Sequence, residues 1–245
     1  RGETCLSTCY FSWMESIQIT ETTSSLTNLT SSLKLKTMKR AILVLGAPRS
    51  GTSITANVLS MLGVNFGNPD RFVDAKHNRH NPIFFEIEGL NRLNDKIFSF
   101  YKQKWEDFNW LPVFSDFSDD DINTFQYHIN RFIKKEFGDS GLVGLKDPRF
   151  CFTLPIWIEI LERLGYKVDF VHTIRNPIHI FRSNMLLNKG SSARSFRITI
   201  GSILSARYFL KDKSVFFIDY GSLLNNPEKE ITSLCKRLDL DLSLV

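Results

Sequence analysis

The residues best suited to chemistry begin at Gly46-Ala47-Pro48-Arg49-Ser50-Gly51-Thr52-Ser53. Two glycines five positions apart, followed by two hydroxyl side chains, have the layout of an anion cradle. Glycine lets the backbone close on a phosphate, and the amides heading the next helix point at it. The Walker A pattern G-x-x-x-x-G-K-[ST] carries lysine where this chain has Thr52. Nucleoside triphosphate hydrolysis uses that lysine on the β- and γ-phosphates and a Mg²⁺ on the Ser/Thr. Here the lysine is gone, Gly51, Thr52 and Ser53 remain, and Arg49 supplies charge from within the loop. That combination points to an anion held without a metal. Arg175 and Ser183 mark a second anion site. Pro177 suits the first position of a helix, and Ser183, seven residues after Asn176, returns two turns later to the same face. The arginine would act as a charged fork and the serine as a neutral donor.

Two further groups concern proton transfer and charge. Glu86 closes Asn81-Pro82-Ile83-Phe84-Phe85-Glu86 and is either a general base or a helix-start carboxylate favoured by the dipole. His77 and His80, in the same loop, are alternative bases. Lys146, in Gly144-Leu145-Lys146-Asp147-Pro148-Arg149, can stabilise a leaving anion or orient an acceptor, as can Arg149. A salt bridge to Asp147 is the purely structural alternative.

The elements that must position these groups follow from hydropathy. Ala41-Ile42-Leu43-Val44-Leu45 is a continuous apolar run, the pattern of a strand buried on both faces. Residues 52–62 carry apolar positions at helical spacing and are closed by Gly63. The spacing predicts helices over 87–100, 119–137 (opened by Ser118, stopped by Gly138), 154–164, 177–187, 194–210 and 227–238, and strands over 142–145, 168–174 and 215–218. Strands alternating with helices imply βαβ units, hence an α/β fold of three α/β/α layers around a mainly parallel sheet, of the P-loop-containing nucleotide-binding type. Ligands of such sheets bind beyond the carboxyl ends of the strands. The motifs at 46–53, 146–149 and 175–183 all start there, so they should converge on one crevice.

A 245-residue chain with 42% hydrophobic and 23% charged residues can bury one sizeable core. Its net charge of +5 suits an anionic ligand, but the basic residues are scattered and give no nucleic-acid signature. Cys5, Cys9, Cys151 and Cys235 show no paired metal spacing, which favours free thiols in a reducing compartment. No stretch reaches the roughly 20 apolar residues of a membrane span, and a cytoplasmic location is expected. Residues 1–37, with nine Ser or Thr between Thr20 and Ser32, read as a disordered leader that need not be native, with Met38 a candidate start. The rest, 38–245, reads as a single domain.

Ala47-Pro48-Arg49-Ser50-Gly51-Thr52-Ser53 resembles the PRSGTS/T loop of sulfotransferases that depend on 3′-phosphoadenylyl sulfate (PAPS), particularly the bacterial type. Arg175 with Ser183 is similar to that family's Arg-x7-Ser element, and Asn188-Lys189-Gly190-Ser191 continues the likeness. The segment ending at Glu86 is similar to the family's Asn-Pro-x-Gly-[Tyr/Phe]-[Phe/Trp]-Glu, without its glycine and one residue shorter. Lys146-Asp147-Pro148-Arg149 resembles its Lys-Asp-Pro-Arg stretch, and Asp219-Tyr220 its late framework region. The resemblance covers residues 39–243 and implies a sulfuryl donor, PAPS, with adenosine 3′,5′-bisphosphate (PAP) as product and no metal. Pro48 to Ser53 would hold the 5′-phosphosulfate, Arg175 and Ser183 the 3′-phosphate, with Glu86 and Lys146 catalytic. The acceptor would be a hydroxyl or amine of a small molecule, carbohydrate, lipid or peptide tyrosine. Trp105, Phe108, Trp110 and Phe114 either wall its pocket or pack a helix or lid. Two other readings stay open: a P-loop nucleotide kinase or NTPase, and a non-catalytic nucleotide-binding module on the same fold.

Overall fold

The computed structural model describes residues 38–74, 83–104, 117–188, 192–241 and 243. The apolar run at the start forms the central strand β1 (Lys39–Leu45). It pairs in parallel with β2 (Leu142–Lys146) on one side and β3 (Tyr166–Ile174) on the other, and β4 (Val215–Asp219) extends the sheet to the order β2-β1-β3-β4. Successive side chains of a strand face opposite ways. Ala41, Leu43 and Leu45 accordingly join one apolar cluster, and Ile42 and Val44 the other.

The helices divide between these two faces. Helices α2 (Glu88–Phe100), α3 (Asp119–Phe137) and α4 (Phe150–Arg163) cover the first, with the end of α6 (Ser192–Phe209). Helices α1 (Thr52–Met61), α7 (Tyr220–Asn225) and α8 (Pro227–Leu238) cover the second. Helix α5 (Pro177–Asn188) follows β3 and packs on α6. Three layers around a parallel sheet is the architecture expected from the alternating pattern. Helix α3 starts where its chemistry says: Ser118 Oγ accepts from the Asp121 amide while the Asp121 carboxylate takes the Ser118 amide, a complete capping box.

Two early starts and one additional helix depart from expectation. Helix α4 begins at Phe150, four residues before the expected start, and carries Pro155 inside it. The proline masked the first turn, whose Phe152 and Thr153 amides bond to Arg149. Strand β3 begins at Tyr166 rather than Val168, held by pairing with Lys39 and Arg40. The six-residue α7 is too short to show a period; Asp219 caps it by accepting from the Ser222 amide.

Gly144 shows how tightly β2 is packed. A Cβ there would press into the Phe66 ring, 2.6 Å from both Cε atoms. Overpacking a full core costs about 1–3 kcal/mol, so Gly144→Ala should lower the unfolding free energy by that amount, seen as a lower urea midpoint with an unchanged m-value. His172 on β3 supplies a second expectation. Burial lowers its pKa from 6.5 to about 4. The unfolded chain therefore binds a proton that the folded chain refuses between these values. The contribution is full above about pH 6.5 and is lost as pH falls to about 4, on the order of 3 kcal/mol. His172→Leu should flatten that part of the stability–pH curve in equilibrium unfolding. Cys151 and Cys235 are free and buried, and burial pushes the Cys151 thiol up to about 12.

Candidate functional site

The loop after β1 is built by a turn with a strained centre. The Ser50 amide bonds to the Ala47 carbonyl at 3.0 Å, with Pro48 at the second position and Arg49 at φ 73° at the third. This is the pattern of a type II turn, in which the third residue is normally glycine. Holding an arginine there costs about 1 kcal/mol or more, and it aims the Arg49 side chain across the mouth of the loop toward α5. Helix α1 follows with Gly51 as its N-cap residue at φ 109°, and no side chain caps it. Its first i→i−4 bond is from the Thr55 amide to Gly51, so the amides of Thr52, Ser53 and Ile54 head the helix. A Cβ on Gly51 would strike the Tyr220 ring, and one on Gly46 would meet Thr173 and Ser50. Ser50 is buried, and its hydroxyl pairs with Thr173 Oγ1 at 2.7 Å, while Thr173 donates to the Leu45 carbonyl at 3.1 Å. The Ser50 side chain thus ties the loop to β3.

Arg49, Arg175 and Ser183 meet as the convergence of strand ends requires. Arg49 Nε donates to Ser183 Oγ at 3.2 Å, and Arg175 Nη1 donates to the Arg49 carbonyl at 3.0 Å. The Arg175 guanidinium lies 4.4 Å from the centre of the Tyr220 ring, a cation–π contact. Burial, and then the Arg175 charge, hold the Arg49 pKa below its ordinary value. Two like charges held together at the uncapped start of a helix make a strong field for an anion. The sequence likeness places Tyr220 in the framework; in the structure its ring is the surface shared by Arg175 and the second glycine of the loop. Only its place just after a strand could have indicated this.

On the other side of α1, Lys146 is buried and its Nζ donates to Glu86 Oε1 at 2.5 Å and to Ser53 Oγ at 3.3 Å. Asn91 Nδ2 donates to the second oxygen of Glu86 at 3.2 Å. A carboxylate has about four lone-pair sites, so Glu86 keeps room for a further donor. Its backbone is pinned, because the Glu86 carbonyl accepts from the Val73 amide at 2.7 Å. The preceding Phe85 sits at φ 55°, with its ring between Phe66 at 5.8 Å and Phe72 at 5.4 Å. A left-handed aromatic residue is a true outlier, and here it directly precedes Glu86.

Asp147 does not pair with Lys146. It is fully buried and bound by Arg149, whose amide donates to Oδ1 at 2.8 Å and whose Nη1 donates to the same oxygen at 3.2 Å. Asn94 Nδ2 holds Oδ2 at 2.8 Å, and Asn94 Oδ1 accepts from Thr153 and Trp157 at 2.8 Å each. Burial raises the Asp147 pKa, against the Arg149 charge. This network ties α2 and α4 to the end of β2 and leaves Lys146 for Glu86. His77, His80, Asn81, Pro82, the four aromatic residues from Trp105 to Phe114, Lys189 to Ser191 and the leader 1–37 lie outside the described residues.

A sequence model of the Sulfotransferase family matches residues 41–243. The chain belongs to that family. Solved structures similar to this sulfotransferase include the sulfotransferase domain of the Synechococcus PCC 7002 olefin synthase, 17% identical, spanning 88% of this chain and 78% of that one with a TM-score of 0.46. The sulfotransferase domain of the curacin biosynthetic pathway is 16% identical, spanning 84% and 76%, with a TM-score of 0.48. No match is found among curated proteins. Among the described residues, no helix is long and apolar enough to cross a membrane, and no group of three or more His, Cys, Asp or Glu could hold a metal ion.

Proposed function

We propose that this sulfotransferase moves a sulfuryl group from PAPS to a hydroxyl or amine of a small-molecule, carbohydrate or lipid acceptor and releases PAP. The observation that carries the reading is the paired Arg49 and Arg175, the second bonded to the carbonyl of the first and Ser183 to the first's side chain, at a helix start that has no cap of its own. These residues fit a doubly anionic nucleotide, because an anion at each end would relieve the repulsion between the two guanidinium groups, the 5′ one also satisfying the helix amides. Arg49, with the backbone of Pro48 to Ser53, would hold the 5′ end; Ser50 serves by fixing the loop to Thr173. Arg175 and Ser183 would take the 3′-phosphate.

PAPS, when bound, supplies the sulfuryl group on a phosphate leaving group. The chain's own residues then have two tasks. Glu86 would accept the acceptor's proton, and Lys146, within reach of both Glu86 and Ser53, would orient that carboxylate and carry positive charge toward the loop. Calorimetric titration with PAP, followed by mass spectrometry after incubation with PAPS and a mixed acceptor library, tests the reading. Binding of PAP and an acceptor gaining one sulfate are expected. Failure of the wild type to bind PAP would sink it, Mg²⁺-dependent ATP turnover would replace it with a kinase or NTPase, and PAP binding with no sulfated product would make the chain a binding module.

A further inference from the structure

Helix α6 is amphipathic in the wrong sense for a helix of a globular core. Its buried positions are Ser195, Thr199, Gly201, Ser202, Ser205 and Ala206, and the hydroxyls of Ser202 and Ser205 have no partner among the described residues. Three of its large apolar side chains face outward: Phe196 is 58% exposed, Leu204 43% and Tyr208 47%. With the half-buried Ile200 between them, these residues recur every fourth position and climb one side of the helix for about 18 Å. Of the eleven large hydrophobic residues exposed among the described ones, seven lie between Ile174 and Phe217, including Ile178 and Leu186 on the neighbouring α5. Scattered exposure is ordinary, but concentration on one stretch marks a contact surface.

Charge says what that surface meets. No carboxylate occurs between Asp169 and Asp212, while Arg175, Arg182, Lys189, Arg194, Arg197, Arg207 and Lys211 all do. Arg197 and Arg207 are exposed on α6 among the apolar residues, and Lys211, just past its end, lies 5.4 Å over the Tyr208 ring. We propose that the outward face of α6 docks the protein on an anionic lipid bilayer. Aliphatic and aromatic side chains interleaved with cations on one helix side suit the boundary between headgroups and acyl chains, where Phe and Leu enter hydrocarbon, Tyr sits at the interface and Arg and Lys reach phosphates. The helix lies on the membrane and does not span it. A soluble polyanion would match the cations but leave Phe196 and Leu204 in water. This surface stands independently of which sulfuryl donor or acceptor the protein uses.

Cosedimentation of the full chain with vesicles of phosphatidylcholine, with or without phosphatidylglycerol, tests the proposal. Binding should require phosphatidylglycerol and weaken with added salt. Each docked cation contributes roughly fivefold, so Arg197→Ser with Arg207→Ser should lower partitioning by on the order of 25-fold. Phe196→Ser with Leu204→Ser keeps every charge and should also lower it at least about tenfold. These positions are exposed, and unchanged urea midpoints will confirm that the variants fold. No binding to phosphatidylglycerol vesicles overturns the proposal. So does binding that the apolar variant retains in full, accompanied by equal affinity for soluble polyglutamate, which makes an acidic polymer the partner. A wild-type dimer in velocity sedimentation that the apolar variant dissolves would make a second copy of the chain the occupant instead.

Discussion

In the proposed nucleotide site, replacing Arg175 by alanine should weaken PAP binding by on the order of 100-fold and abolish the thermal stabilisation expected from PAP. A hydrogen bond to a charged group contributes about 1.5–3 kcal/mol, and Arg175 has further work in the site. It donates to the Arg49 carbonyl at 3.0 Å, which steadies the strained turn, and it rests on Tyr220. Arg175→Lys keeps the charge but loses the planar fork and the stacking, so most of the loss should persist. Arg49→Ala should weaken binding comparably. Without ligand, either alanine variant relieves a like-charge contact but also gives up a hydrogen bond, and Arg175→Ala its stacking on Tyr220 as well, so the apo protein should unfold close to the wild-type denaturant concentration. Ligand stabilisation follows RT ln(1 + [L]/Kd), about 2.7 kcal/mol at a hundredfold excess over Kd. Differential scanning fluorimetry with and without PAP separates the two effects. A PAP-induced shift that survives in both variants would place the nucleotide elsewhere.

The second large effect belongs to Glu86. Removing a general base costs about 10²–10⁴ in rate, and Glu86→Gln should reduce kcat by that factor with PAP affinity within a few-fold of wild type. Lys146→Ala should behave differently, because Lys146 Nζ also reaches Ser53 in the loop at 3.3 Å. It should lose turnover and part of its nucleotide affinity together. Breaking a buried ion pair by removing one partner costs about 3–5 kcal/mol. Turnover must therefore be expressed per folded molecule, with the urea midpoint measured alongside. The glutamine amide oxygen can still accept from Lys146, which limits the stability cost in that variant. If Glu86→Gln retains wild-type turnover per folded molecule, another group accepts the proton.

How far these groups could be anticipated depends on whether the signal was local. The strand Ala41–Leu45 was legible because five apolar residues in a row before a glycine suit few positions other than a strand covered on both faces. The start of α3 was legible because Ser118 and Asp121 are three residues apart and satisfy each other's backbone amides. The anion loop was legible because its glycines and Arg49 lie within eight positions. By contrast, α6 was readable as a helix but not as one turned inside out. Its polar face is accommodated by α4 and α5, which periodicity within α6 does not describe.

The sequence by itself determined the alternation of strands and helices, the loop that can cradle an anion, and the strand ends where chemistry would gather. Each is a property of backbone periodicity, glycine and capping over a few neighbouring residues. Tertiary structure alone decided the partners. It gave Lys146 to Glu86, 60 positions away, and Asp147 to Arg149 and Asn94. It brought Arg49 to Ser183 across 134 positions and set Tyr220 beneath Arg175. The physical reason is that a parallel sheet in the order β2-β1-β3-β4 places distant strand ends side by side. Which charges then meet is settled by register and by the rings of Phe66, Phe72 and Phe85 that hold Glu86 in place.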